Sequence, residues 1–447
     1  MNNESLYTLT PGGKFKPRHN EIALELINTF NIKTMQDTHK MYWFNNGIYQ
    51  PGGKEKIKTL LDNKYAEDIN LNHTKEIIGH IERKTYTPRD QFNTDPNILN
   101  LENGYLDLTK NPRKLQPHTP NLLTTYKLPV KYNPKAKCPK IDKFLASLVN
   151  YEDIFNLYEI PAYCLLLDHR LIQKAVVIVG DESNGKTAYL DLIKAFLGEK
   201  NTCSIPLQFI GSRFYTSELF GKIANIYDDL PDYEVKETSA FKISTSGMTL
   251  LKGEHKHQDP FYFLNHAKHI FSANRLPKLA KGKTGAYARR WHLIRFPNYF
   301  AKGVEGYDPH IIDKITTPEE LSGFLNKALE SLKRLEKNQD YTNGMNSEEA
   351  WERWEEWSKD SEDTFLDDKT ETTGNIQDYI TRADAHTKYS QYCEENKLLR
   401  KGKATLYDAI RLRGTQDTNR RIEGTLTRIF NGIRWKEEEK SLEVEEI

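Results

Sequence analysis

Three short runs near the middle of the chain, Ala175–Val179, Ile223–Tyr227 and His269–Ala273, are apolar almost without a break. A fourth, Leu293–Phe296, follows a pair of arginines. A strand with one wet face alternates apolar and polar residues, whereas a continuous run belongs to a strand buried on both faces. The pattern therefore predicts an α/β layer around a parallel sheet. Helical spacing takes over elsewhere. "IDKFLASLVNYEDIFNLYEIPAYCLLL", from Ile141, reads as helices. After Pro318, residues Leu321, Phe324, Leu325, Ala328, Leu329, Leu332 and Leu335 fall on one helical face. Nearer the start, "MYWFNNGIYQPGG" and "NILNLENGYLDL" read as hairpins turning at Asn45-Asn46-Gly47 and Asn103-Gly104. Proline-punctuated loops from Pro112 to Pro139 follow them.

These patterns divide the chain into a mixed α+β N-terminal domain (1–140), a helical collar (141–172), an α/β core (173–305), a helical connection (306–375) and a C-terminal domain (376–447). Within the polar, acid-rich stretch 338–374, Trp351, Trp354 and Trp357 recur at spacing three, which predicts a docked helix face.

Composition narrows the function classes. The 447 residues are too many for one ordinary domain, and 37% hydrophobic with 28% charged residues describes a soluble protein with real cores. No stretch approaches the roughly 18 apolar residues of a membrane span, and the first residues lack an apolar signal core, so a cytoplasmic protein without a membrane partner is expected. Cys138, Cys164, Cys203 and Cys393 lie far apart and form no CxxC pair, which argues against structural zinc. The net charge of +1 confines any nucleic-acid surface to a local patch.

"VVIVGDESNGKTAYLDLI", residues 176–193, carries the first clear chemistry. Gly180, Gly185, Lys186 and Thr187 fit the P-loop pattern G-x-x-x-x-G-K-[ST], with Ser183 and Asn184 inside it. Glycines let the backbone fold into a nest whose N–H groups face phosphate oxygens, and the helix from Thr187 to Leu197, stopped by Gly198, adds its positive end. Lys186 would reach the β- and γ-phosphates of ATP, and the Thr187 hydroxyl would hold Mg²⁺. A strand-then-acid segment, "KIANIYDDLPD", supplies Asp228 and Asp229: one carboxylate for the Mg²⁺ shell, the other to polarise water. Asp228 is taken as the metal-side acid, and Asp232, three residues after Asp229, is a third carboxylate able to share these roles. "AKHIFSANRLP" ends in Asn274, a neutral amide suited to orienting water and sensing the γ-phosphate. In "GAYARRWHLIRF", Arg289 and Arg290 precede the fourth strand, where either would serve a neighbouring subunit's nucleotide.

The order of these elements resembles the superfamily 3 helicases, and more closely the phage/plasmid primase-helicase family that includes the poxvirus primase-helicase. The resemblance is specific over residues 90–300, including "ENGYLDL…QPHTP". It implies a P-loop AAA+ motor core, assembled as a hexameric ring that moves along DNA. It further implies phosphate binding by Lys186 and Thr187, an acidic pair at Asp228 and Asp229, a sensor at Asn274, and a trans-acting finger at Arg289. A primase in the same chain is not expected, because residues 1–150 contain no Asp-x-Asp pair. A separate primase or polymerase would be a partner.

Two regions would meet DNA. In "KISTSGMTLLKGEHKHQDPFYFLNHAKH", Met248–Lys252 and Phe261–Leu264 read as two strands around a polar tip carrying His255, Lys256 and His257, with Lys252 at its base. Such cations make salt-sensitive backbone contacts. A rival reading makes His255 and His257 metal ligands, with Glu254 and Asp259 nearby. From Lys397 to Arg434 ten Lys/Arg face three acids, a balance of +7. "KATLYDAIRLRG" reads as a helix and "TLTRIFNGIRW" as a second helix running into a strand. That layout suits a winged helix-turn-helix using Lys403, Arg411, Arg413, Arg420 and Arg421. The sequence thus points to an ATP-driven replicative DNA helicase of a virus, plasmid or mobile element. A duplex translocase or origin-melting initiator, and less so a non-motor ATP switch, remain as alternatives.

Overall fold

Buried on both faces, the apolar runs pair with one another. In the computed structural model the four runs, joined by the short edge strand Thr202–Cys203, form one five-stranded parallel sheet: β1 (Ala175–Val179), β2 (Thr202–Cys203), β3 (Ala224–Tyr227), β4 (Lys268–Ala273) and β5 (Trp291–Arg295), in the order β2-β3-β4-β1-β5. Every residue of β1 and β4 is buried. The structure describes residues 6–436 except 10, 12–14, 66–67, 232–234, 236–237, 258, 278–284, 305, 397, 399, 401 and 423. Chain contacts separate two units, Met1–Ala273 with Leu279–Ala350, and Asn274–Lys278 with Trp351–Ile447.

In the larger unit, the helix Lys186–Leu197 buries Tyr189, Leu190, Ile193 and Phe196 in the same core as the sheet, and Gly198 ends it. The seven apolar positions predicted after Pro318 are all buried in the helix Pro318–Asn338. Thr317 caps that helix. Glu320 in its first turn does a second job. Its carboxylate accepts the backbone N–H groups of Lys140 and Ile141 at 3.1 Å, satisfying orphan donors at the start of the collar helix Pro139–Leu148. The N-terminal part has a four-stranded sheet in the order Ile48–Pro51, Met41–Asn45, Lys33–Met35, Tyr86–Thr87, with helices His19–Phe30, Gly53–Tyr65 and Leu71–Thr85. Ile22, Leu26, Ile57, Leu61, Ile77 and Ile81 form its core. Both expected hairpins are present, the second as Ile98–Leu101 against Gly104–Asp107.

The smaller unit runs through the helix Ser361–Lys369, a strand Tyr379–Thr381, helices Arg382–Glu395 and Lys403–Leu412, and a hairpin of Gln416–Ile422 with Thr425–Asn431. Its three-stranded sheet places Thr425–Asn431 in the centre. The helix Ser361–Lys369, read from sequence as part of a connection, gives Phe365 and Leu366 to this unit's core beside Tyr389, Leu406, Ile410 and Phe430. Trp354 is the buried member of the tryptophan stripe, its indole N–H donating to the Pro277 carbonyl at 3.1 Å. One expectation is corrected: "TLTRIFNGIRW" holds no helix. Leu426, Ile429 and Phe430 mimic helical spacing, but Thr425, Thr427 and Ile429 are β-branched, and the segment pairs along seven residues with Gln416–Ile422 before continuing as the strand Ile433–Trp435.

Histidines gather at the start of β4, with His269 buried within the strand and His266 just before it. His269 accepts from the Asn225 amide at 3.2 Å and donates to the Ser244 hydroxyl at 2.8 Å. Burial, reinforced by the Lys268 ammonium, pushes His269 down to about 3 and His266 to about 4, and holds His169 well below 6.5. On unfolding, each recovers its ordinary affinity for a proton. Below pH 6.5 the unfolded chain therefore binds protons that the folded chain refuses, and stability falls as pH falls. The expected loss is about 1.4 kcal/mol per pH unit for each group. Thermal denaturation at pH 7.5 and 5.5 checks this; an unchanged melting temperature would contradict it.

Candidate functional site

In a parallel sheet the loops after the strands gather at one edge, and a crevice opens where the connections diverge. Here that place is the end of β1, flanked by β4 and β5. The loop 180–185 occupies it. A β-carbon on Gly180 would lie 2.0 Å from Asn184 Nδ2 and 2.6 Å from the Phe296 carbonyl, and Gly185 sits at φ +85 against Leu148, so neither position admits a side chain. The buried Asn184 donates to the Phe296 carbonyl at 3.1 Å, and the Ser183 carbonyl accepts the Phe300 N–H at 2.6 Å. The loop is thereby pinned to the segment that follows β5.

Lys186 is 6% exposed, and its ammonium donates to the carbonyls of Gly180 at 2.6 Å and Asp181 at 2.7 Å and to Asn184 Oδ1 at 3.1 Å. Burial lowers its pKa, while Asp228, Asp181 and Asp229 pull the other way. Burial likewise raises the Asp181 carboxyl, against Arg295 and Lys186. The Thr187 hydroxyl donates to Asp228 Oδ2 at 2.7 Å, and Asp228 Oδ1 accepts the Ser272 hydroxyl. Asp229, exposed and in the left-handed region at φ 54, donates its N–H to Ser272 Oγ at 2.8 Å. Ser272 on β4 thus holds the Asp228 carboxylate and the Asp229 backbone N–H. Sequence reading missed it, although a serine inside the apolar run "HIFSA" is itself a signal of a buried polar role. Asp232 lies outside the described residues.

The loop residues Gly180, Ser183, Asn184, Gly185 and Lys186 therefore come together with Thr187, Asp228 and Asp229. Asn274 directly follows β4 and belongs by its contacts to the smaller unit. The two arginines before β5 differ. Arg290 is 7% exposed and donates to the carbonyls of Lys242 and Ala286 and to Thr245 Oγ1. Arg289 is exposed.

The strands of the expected tip hairpin are Leu251–Gly253 and Phe261–Phe263. Their inner residues pack on Phe220, and the Arg89 guanidinium lies over the rings of Phe220 at 4.3 Å and Phe261 at 4.1 Å. Lys252, Lys256 and His257 are exposed. His255 is not a free tip residue: it is bonded to Ser217 Oγ at 3.3 Å, and burial with Lys40 and Arg89 lowers its pKa. Glu254 is held by Arg213 at 2.6 and 2.9 Å. Arg89 and Arg213 carried no signal in the sequence, because each meets its partners across a long chain separation.

In the smaller unit, Lys403 and Arg421 are exposed. Arg420 lies over the Tyr379 ring at 4.8 Å. Two other expected DNA contacts are engaged within the fold, Arg411 with Asp417 at 2.8 Å and Arg413 with Asp367 at 2.6 Å. Lys397, Lys401 and Glu423, part of the basic balance, lie outside the described residues. Among the described residues no group of three or more His, Cys, Asp or Glu side chains could hold a metal, which leaves His255 and His257 without the further ligands the rival reading needs. The Thr187 hydroxyl and Asp228 carboxylate are hard oxygens of the kind Mg²⁺ shares with substrate phosphates, so they fit that ion without a protein cage. No described helix is long and apolar enough to cross a membrane.

These elements define an α/β core on a parallel sheet with its candidate site at the carboxyl ends of the strands. Residues 17–150 match the family model described as D5 N terminal like, and residues 178–290 match that of a family of unknown function, DUF5906. No curated protein matches the chain. Among solved structures it is similar to the A form apo structure of the NrS-1 C terminal region, at 13% identity over 93% of this chain and 99% of that one, with a TM-score of 0.45. A second apo structure of that region gives 13% identity, 93% and 100% coverage and a TM-score of 0.45.

Proposed function

We propose that this protein is an ATP-dependent DNA helicase of a virus, plasmid or mobile element, hydrolysing ATP between the subunits of a hexameric ring. The observation that carries the reading is the Thr187–Asp228 bond at 2.7 Å beside Lys186, at the carboxyl edge of the sheet. A hydroxyl and a carboxylate so placed fit Mg²⁺, whose charge would offset that of the phosphates. Lys186 would exchange its carbonyl partners for β- and γ-phosphate oxygens. Asp229, turned outward beside Asp228, would polarise the attacking water. Arg289 would reach a neighbouring subunit's nucleotide, because Arg290 is committed within its own subunit. The D5 N terminal like match ahead of the core supports a place in replication. In the smaller unit, the strand–helix–helix–hairpin order with a three-stranded sheet suits a winged helix-turn-helix, with Lys403 on its second helix and Arg420 and Arg421 on the wing.

DNA is expected to stimulate ATP hydrolysis, and the stimulation to weaken as salt rises because backbone contacts release counterions. Replacing Lys256 by Glu exchanges attraction to phosphate for repulsion, so single-stranded DNA binding should fall at low salt. ATPase rates with and without DNA across a salt series check this. A turnover indifferent to DNA at every salt concentration would count against a motor and favour a switch.

A further inference from the structure

The tip hairpin presents an outer face that phosphate contacts alone do not explain. Leu251, Phe261 and Phe263 point inward and are buried, 4–7% exposed. The other side of the ribbon carries Lys252 directly opposite Tyr262 in the register, and Tyr262 is 60% exposed. Leu250 and Leu264 flank this pair at 55% and 44% exposure. A hairpin built only to touch a charged backbone would carry polar residues there.

We propose that this face stacks the bases of a single nucleic-acid strand, with Tyr262 as the platform and Lys252 holding the adjoining phosphate. The inference rests on the DNA reading above and extends it from backbone to bases. Aromatic rings beside cations are the combination that takes single strands without sequence preference, since every base has a π-face. The local charge favours an anionic occupant. Glu254 is paired with Arg213, leaving Asp259 as the exposed carboxylate of the tip against Lys252 and Lys256. The platform is also rigid. Phe261, the residue before Tyr262, is fixed between Arg89 and Phe220, so little motion is lost when a base stacks.

The test compares oligothymidylate with an abasic strand of equal length, which keeps the phosphates and removes the bases. The unaltered chain should bind oligothymidylate about tenfold more tightly or better. Tyr262→Ala should abolish that preference, and Tyr262→Phe, which keeps the ring, should retain it. Equal affinity of the unaltered chain for both strands would overturn the proposal. So would a preference that survives in Tyr262→Ala. If Tyr262→Ala weakens both strands equally and dissociates the assembly in sedimentation, the face is a contact with a second copy, and the proposal is again overturned. Binding of neither strand by the unaltered chain would remove the DNA reading itself, and this proposal with it.

Discussion

Alanine in place of Lys186 is expected to lower ATP turnover by roughly a hundredfold to a thousandfold or more, as removal of a preorganised charge from a phosphoryl-transfer site does. Two losses combine. The cation that would face the β- and γ-phosphates is gone, and the carbonyls of Gly180 and Asp181, which now accept from it, lose their donor. Nucleotide affinity should therefore fall together with turnover. Lys186→Arg should not rescue, because a guanidinium does not fit a side-chain position that is 6% exposed under a pinned loop. Asp229→Asn should behave differently, keeping nucleotide bound while stopping hydrolysis. Turnover and nucleotide binding measured on the same preparations separate the two. Hydrolysis by Lys186→Ala at the rate of the unaltered chain would show that the loop is not a phosphate site.

The second large effect is expected at Arg289. A finger supplied across a subunit boundary contributes roughly 10³- to 10⁵-fold to phosphoryl transfer in systems that use one. Arg289→Ala should bind ATP and hydrolyse it poorly. Mixing it with Lys186→Ala should restore part of the activity, since some boundaries then join an intact loop to an intact arginine. Arg290→Ala supplies the contrast. Its side chain is buried and bonded to Lys242, Thr245 and Ala286, so its loss should lower the melting temperature, whereas loss of the exposed Arg289 should not. Mixtures that recover nothing, with turnover per subunit independent of protein concentration, would point to a site complete within one chain.

Continuous apolar runs such as Ala175–Val179 place buried strands well, because nothing but burial on both faces tolerates them. The loop at residues 180–187 is equally readable, since its glycines and Lys186 are adjacent in the chain. What the sequence hides is what the fold brings together from afar. Ser272 meets the Asp228 carboxylate and the Asp229 backbone, Arg89 lies over both Phe220 and Phe261, and Arg213 holds Glu254, yet no local pattern marks those pairings. The two-residue strand Thr202–Cys203 is too short to show a period. Burial separates Arg289 from Arg290, and no sequence spacing can do that. The hairpin at Gln416–Asn431 shows the opposite failure, where three apolar residues at helical spacing outweighed the β-branched character of Thr425, Thr427 and Ile429.

The claim that ATP hydrolysis moves this protein along DNA is tested most directly by strand displacement from a forked duplex with a labelled strand. With ATP and Mg²⁺ the account predicts release of the labelled strand, and none with a non-hydrolysable ATP analogue or with Lys186→Ala. Active ATP turnover on the same fork without any strand release would contradict it.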